Sequence, residues 1–505
     1  MELSVDTQKM EIITLKTDIN MTIKDLKPAV VWDAFYGLTR CPRPSKHEEV
    51  VRQHILDWAK EHKVEAFADE TGNVILRVPA TPGYENRKGV IIQGHMDMVP
   101  QKTGDTVHDF LKDPIETWVD GEWLKAKGTT LGADNGIGVA MGMAVAVDKS
   151  LKHGPVEVLI TYDEETGMTG ADALKPGVLK GDILLNLDSE DEDELCIGCA
   201  GGLDAIADFK YKSLRTPAGY LGCKLTVKGL SGGHSGMDIS LYRANANKVL
   251  ANALIPVMEK YGAKLTDIRG GSLRNAIPFE GEAEIAVPAE KCAAVLRAIR
   301  KNFAEVTARY KESDPAMSCK VEKSKAAPSY IEDAVALNAL KAISACPSNV
   351  IRMSQSMQGL TETSINLAVV KCSRGHLTVA SLLRSAIDES KAELAARVRY
   401  IFEFAGAKIK FVGGYCGWTP KPDTPMIAML NDIHSKMFGK PMNVLATHGG
   451  LECALLGAKY PHWEMVSIGP TIMYPHSPDE KVNIPSVQKT WDFLKAVLEA
   501  IPEKK

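Results

Sequence analysis

Through the first 190 residues, short apolar runs alternate with amphipathic stretches. Residues 90–94, 156–162 and 183–187 are dominated by Val, Ile and Leu and bounded by glycine or charge, the pattern of strands buried on both faces. Residues 26–35 and 46–62 place apolar positions at helical spacing. The breaker Cys41-Pro42-Arg43-Pro44-Ser45 separates them, with Ser45 expected to cap the second helix and Glu48 three residues on. Residues 64–79 alternate into a strand pair around Thr71-Gly72-Asn73, and residues 138–147 read as a buried helix after a glycine-rich loop. This order of elements predicts an α/β fold.

From about Leu203 the pattern changes. Alternating runs at 222–230, 281–288, 350–357, 365–371 and 376–384 are interleaved with helical stretches at 244–261, 289–311, 334–345 and 389–404, which predicts a separate α+β domain. Residues 407–413, 426–438 and 465–469 then resume the first pattern. The expected organisation is one domain built from residues 1–202 and 406–505, interrupted by an insertion at 203–405.

Composition narrows the function classes. The 505 residues are 45% hydrophobic and 25% charged, with a net charge of -4 and no block of lysine or arginine, so nucleic acid and anionic membrane have no electrostatic footprint. The N-terminus Met1-Glu2-Leu3-Ser4-Val5-Asp6 carries acids where a secretory signal carries bases, and no apolar run approaches the roughly 18 residues of a membrane span. A cytoplasmic, soluble protein is expected. Ten scattered cysteines fit a reduced compartment, and Cys196-Ile197-Gly198-Cys199, with no second ligand pair, reads as two small buried residues.

Three apolar strands end in chemistry: one in His95 with Asp97 two residues on, one in Glu164-Glu165, and one in Asp188. The carboxyl ends of parallel strands are where α/β sheets build sites. Asp134 sits in the loop Gly132-Ala133-Asp134-Asn135-Gly136, and His476 follows the last apolar strand. Two imidazoles and several carboxylates suit zinc, and one shared carboxylate would hold two ions about 3.5 to 4 Å apart. Adjacent Glu164 and Glu165 can point apart, leaving one as ligand and one as base. The alternative is that each acid is a solvated loop residue or a helix cap. Gly136-x-Gly138-x-x-x-Gly142 brushes the dinucleotide fingerprint, but the spacing is wrong and no clear strand precedes it.

The blocks Gly94-His95-Met96-Asp97-Met98-Val99-Pro100, Leu131-Gly132-Ala133-Asp134-Asn135-Gly136, Asp163-Glu164-Glu165-Thr166-Gly167, Asn186-Leu187-Asp188, Gly232-Gly233-His234-Ser235-Gly236 and His476-Ser477-Pro478-Asp479-Glu480 resemble, in order and across nearly the whole chain, those of the aminoacyl-histidine dipeptidases. These are cytosolic di-zinc enzymes of the aminoacylase and carboxypeptidase superfamily. The resemblance implies a catalytic domain with a mixed sheet flanked by helices, an inserted α+β lid, and a homodimer. It implies two Zn2+ per chain, with Co2+ or Mn2+ as substitutes: His95 and Asp188 at one, Glu165 and His476 at the other, Asp134 between them. Asp97 would orient the first site, Glu164 would be the general base, and the Asp134-Asn135 peptide would be cis. His234, Asn275 and Arg384 of the lid, with Glu452, would bind a small peptide such as β-Ala-His. Two departures, at Asp238 to Asn245 and at Ala454, bear on substrate preference. An aminoacylase, a tripeptidase or a non-catalytic peptide-binding relative are the alternative readings.

Overall fold

The strand Val90–His95, buried along its whole length, pairs in parallel with Val156–Thr161 on one side and Ile183–Asn186 on the other. The computed structural model in which it lies describes residues 21–504, so the acidic N-terminal stretch falls outside the described residues. Glu464–Ser467 continues the parallel set beyond Ile183–Asn186, and antiparallel Val74–Val78 and Glu65–Ala68 extend the other edge. With Glu194–Cys199 and Asn443–Thr447 they make a mixed sheet of eight strands among the described residues. Gln93 stands opposite Asn186, which in turn stands opposite Ser467, and His95 stands opposite Thr161, so the parallel strands finish at nearly the same level.

Helices cover this sheet. Ala133–Val147 packs so closely that a Cβ at Gly142 would lie 2.6 Å from Val158 Cγ1 and one at Gly138 2.5 Å from the Leu187 carbonyl. Two of the three glycines that imitate a nucleotide fingerprint, Gly138 and Gly142, are therefore explained by helix-on-sheet packing, and the third, Gly136, by Arg43 and Phe35. Residues on both sides of the insertion, including Trp32, Ile92 and Val139 with Trp491 and Leu494, share one hydrophobic core.

A second, antiparallel sheet, nine-stranded among the described residues, holds Gly201–Lys210, Tyr220–Lys228, Lys264–Gly270, Gly281–Pro288, Thr361–Ser373 and His376–Ser385. Its helices Ala246–Tyr261, Cys292–Arg309, Asp333–Ala345 and Asp388–Phe404 bury a core that runs from Ala205 to Ala407. Asn245 caps the first of these, its side chain accepting from the Asn247 and Lys248 amides. The two chain crossings between the sheets run side by side, Cys199 and Trp418 exchanging backbone hydrogen bonds at 3.0 and 2.9 Å.

The structure corrects two sequence expectations. Lys408–Tyr415, expected to begin the returning segment, is an edge of the second sheet, pairing with Gly201–Lys210. Alternation specifies a half-buried strand but not its sheet. Ser45 does not cap its helix, because the helix begins later, at Glu49. Glu48 instead accepts from the Lys46 and Asp163 amides. Cys196 and Cys199 are buried free thiols, pushed up to about 11 and 12 by burial, as befits small core residues.

Candidate metal centre

His95 ends its strand with the imidazole buried, Nδ1 3.2 Å from Asp97 Oδ1. Nε2 faces two carboxylates, Asp134 Oδ1 at 3.2 Å and Asp188 Oδ1 at 3.4 Å. The other Asp134 oxygen lies 3.1 Å from His476 Nε2, which is also 3.0 Å from Glu165 Oε2. Asp134 thus stands between two imidazoles, one oxygen to each, and the Nε2 atom of each imidazole faces one further carboxylate. The peptide bond between Asp134 and Asn135 is cis. These five residues, drawn from separate segments between residues 95 and 476, are brought together.

Asp97 organises the segment opposite. Its two oxygens accept the backbone N–H groups of Glu164 at 3.0 Å and Glu165 at 3.2 Å. With its carboxylate against His95 Nδ1, it favours the tautomer that leaves Nε2 free. Asp163, at φ 52°, turns the chain sharply out of the strand before the glutamate pair. Glu165 is engaged by His476, whereas the Glu164 side chain takes part in no hydrogen bond or ion pair among the described residues.

The electrostatics follow from packing carboxylates out of water. Burial opposes ionisation of Asp134, but His476 and His95 outweigh it and hold the group below the usual carboxylate range. Asp134 and Glu165 push His476 up to about 11. Burial drives Glu164 well above its ordinary value against the pull of His95, helped by Asp188, Glu452 and Glu165. No lysine or arginine forms an ion pair with Asp134, Glu164, Glu165 or Asp188 among the described residues. Glu165 Oε1 and Asp188 Oδ1 are buried without a donor. Orphaned buried carboxylate oxygens beside two imidazoles fit divalent cations, which supply charge and coordination together. His95, Asp134 and Glu165 already place one ligand atom each within 4.8 Å of one another.

The lid presents a different surface. Arg384 is buried, with Nε 3.3 Å from Ser235 Oγ and Nη1 3.5 Å from the Tyr415 hydroxyl, and it has no carboxylate partner among the described residues. His234 accepts the Gly236 and Met237 amides on Nδ1, each at 3.3 Å, which leaves Nε2 protonated and unengaged. Asn275 is exposed, and its carbonyl accepts the Ser235 amide at 2.7 Å. The sequence did not single out His448, although His448-Gly449-Gly450 lies just before Glu452. Its Nε2 meets Ser364 Oγ of the lid at 2.7 Å, and Ser364 is the cross-strand neighbour of Arg384. Glu452 is completely buried, one oxygen accepting from Gln93 Nε2 and Thr161 Oγ1, each at 2.6 Å, and the other unpartnered. Burial pushes it up to about 8.

Comparison with known proteins gives a consistent result. Residues 91–500 match the profile described as Peptidase family M20/M25/M40. The cytosol non-specific dipeptidase of Escherichia coli is 43% identical over 489 residues, covering 95% of this chain and 99% of that protein. The crystal structure of aminoacylhistidine dipeptidase from Vibrio alginolyticus superposes with a TM-score of 0.90 at 45% identity, covering 96% of this chain and 99% of that one. The aminopeptidase PepT of Bacillus cereus, at 16% identity and a TM-score of 0.55 over 94% of this chain and 99% of that one, shares the fold.

Proposed function

The chain belongs to peptidase family M20/M25/M40, and from that premise we propose that it is a metal-dependent dipeptidase hydrolysing small unblocked peptides, Xaa-His among them. The observation that carries this reading is Asp134, with one carboxylate oxygen against His95 and the other against His476. Two Zn2+ per chain are proposed: His95 and Asp188 would hold one, Glu165 and His476 would hold the other, and Asp134 would serve both. Such ions, when bound, supply Lewis acidity that acidifies water and polarises a peptide carbonyl.

The chain's own residues do the rest. Glu164, adjacent to the ligand Glu165 yet free of partners, takes a proton from the attacking water and returns it to the leaving amine. Asp97 fixes both the His95 tautomer and the backbone of the glutamate pair. Arg384 receives the peptide's terminal carboxylate, since a buried guanidinium without an anion is a bidentate site awaiting one. His234 Nε2–H and Asn275 polarise and orient the scissile carbonyl, and the free oxygen of Glu452 is assigned to the amino group. Residues 203–405 form a lid that excludes water when it closes over substrate. The working unit is proposed to be a cytoplasmic homodimer, which sedimentation velocity tests.

The deciding experiment is metal analysis combined with a panel of dipeptides, tripeptides and N-acylated amino acids. Two zinc ions per chain and turnover confined largely to free dipeptides support the proposal. Preference for acylated amino acids or tripeptides would reassign the substrate class, and a protein that binds no metal would end the reading.

A further inference from the structure

Two charged residues outside the ligand set converge on the loop that carries Asp134. Glu480, 2% exposed, accepts four consecutive backbone N–H groups: Leu131 and Gly132 at 2.8 and 2.9 Å on Oε2, Ala133 and Asp134 at 2.7 and 3.2 Å on Oε1. From the other side Arg43, also 2% exposed, donates to the Gly132 carbonyl at 2.5 Å through Nη2. Its Nη1 donates to the carbonyls of Met96 and Asp97 at 3.1 and 3.2 Å. One guanidinium therefore joins the segment just after His95 to the Asp134 loop. One carboxylate, four residues beyond His476, joins the same loop to the His476 segment.

The local sequence is shaped to this arrangement. Gly132 has φ 70°, and a Cβ there would lie 2.4 Å from Arg43 Nη2, while one at Gly136 would lie 2.7 Å from the same atom. Hydrogen bonds with an ionised partner are shorter and about twice as strong as neutral ones. Removing an acceptor from buried amides also leaves each amide with its desolvation penalty. Neither residue belongs to the set of Asp134 and the four residues gathered around it, His95, Glu165, Asp188 and His476, so neither is needed as a ligand.

We propose that Arg43 and Glu480 are positioning residues that hold the 131–134 loop between the His95 and His476 segments, so that metal affinity depends on two charged side chains that touch no metal. This rests on the metal-binding reading above. Glu480→Gln retains size but replaces one acceptor oxygen with an NH2 group facing backbone donors. The test measures Co2+ affinity by chelator competition, with the visible Co2+ spectrum as a reporter of coordination geometry. Asp314→Asn is the control, because Asp314 is equally buried and accepts the Ser231 and Ala244 amides at 2.8 and 2.9 Å, but in the lid.

Glu480→Gln is expected to weaken Co2+ binding about 10- to 100-fold and to alter the spectrum, the range typical of groups that orient metal ligands. Asp314→Asn is expected to lower Tm while leaving affinity and spectrum as in wild type. Unchanged affinity and spectrum in folded Glu480→Gln, or an equal loss of affinity in Asp314→Asn, overturns the proposal. If Glu480→Gln does not fold, Glu480→Asp, which retains the charge but shortens its reach, is judged by the same two readouts. Wild-type protein that binds no Co2+ overturns the metal reading itself, an outcome distinct from wild type that binds and a variant that is unaffected.

Discussion

The metal centre and the lid face are both polar and largely buried, yet they are built on opposite terms. Around Asp134, carboxylates outnumber cations, and fixed backbone amides hold Asp97 and Glu480. Around Arg384 the charge is positive, and its contacts are two hydroxyls at 3.3 and 3.5 Å. The first surface demands cations and has its geometry set in advance. The second offers a cation that no carboxylate among the described residues partners. Under the function proposed above, a short peptide with a free carboxylate would be complementary to both, and the segment before Glu452 touches the lid where His448 reaches Ser364.

Substitutions on the anionic side should have the largest effect. Asp134→Ala is expected to abolish activity and most metal binding together, read by metal analysis and turnover; retention of both ions would break the assignment of Asp134. Glu164→Gln should separate the two properties. Metal content and folding stay near wild type while kcat falls about 100- to 10,000-fold, the usual range for a general acid or base. Retention of more than about a tenth of wild-type turnover would show that the base lies elsewhere.

On the cationic side the effect is smaller and depends on substrate. Arg384→Met removes a hydrogen bond to a charged group, worth about 1.5–3 kcal/mol. It should lower kcat/KM about 10- to 100-fold for free dipeptides, chiefly through KM, and leave the weak turnover of dipeptide amides nearly unchanged. Equal losses on both substrates would mean that Arg384 serves the lid's packing rather than the terminal carboxylate.

The smallest expected effect lies at the junction. Burial, with Arg384 adding to it, pushes His448 down to about 3 from its ordinary 6.5. The folded protein holds the imidazole neutral, whereas the unfolded chain takes up a proton. Stability from this group is therefore complete above pH 6.5 and falls as pH drops toward 3. His448→Gln should flatten the decline of Tm between about pH 6.5 and 4. An unchanged slope would mean that His448 is solvated in the folded state.

Much of the site was legible because its chemistry is local. A strand that ends in His95 followed by Asp97, a paired Glu164-Glu165 after an apolar run, and an aspartate in a glycine loop each mark a candidate within a few residues, while the role of each came from the family resemblance. The helix expected at 244–261 was legible for the same reason, through its periodicity, whereas the Asn245 cap that starts it at Ala246 came from the structure. Ser45 misled because a capping residue is informative only when the helix start is fixed, and a buried Glu48 bonded to Asp163 fixes it later.

The sequence by itself determined which residue types stand at strand ends and where apolar periodicity changes, since those depend on neighbours along the chain. Only tertiary structure decided that Lys408–Tyr415 joins the second sheet, that His448 meets the lid, and that Arg43 and Glu480 grip one loop from opposite sides. Glu480 bonds amides nearly 350 positions away, and a carboxylate bonded to distant backbone N–H groups leaves no periodicity or spacing at either end to reveal the partnership.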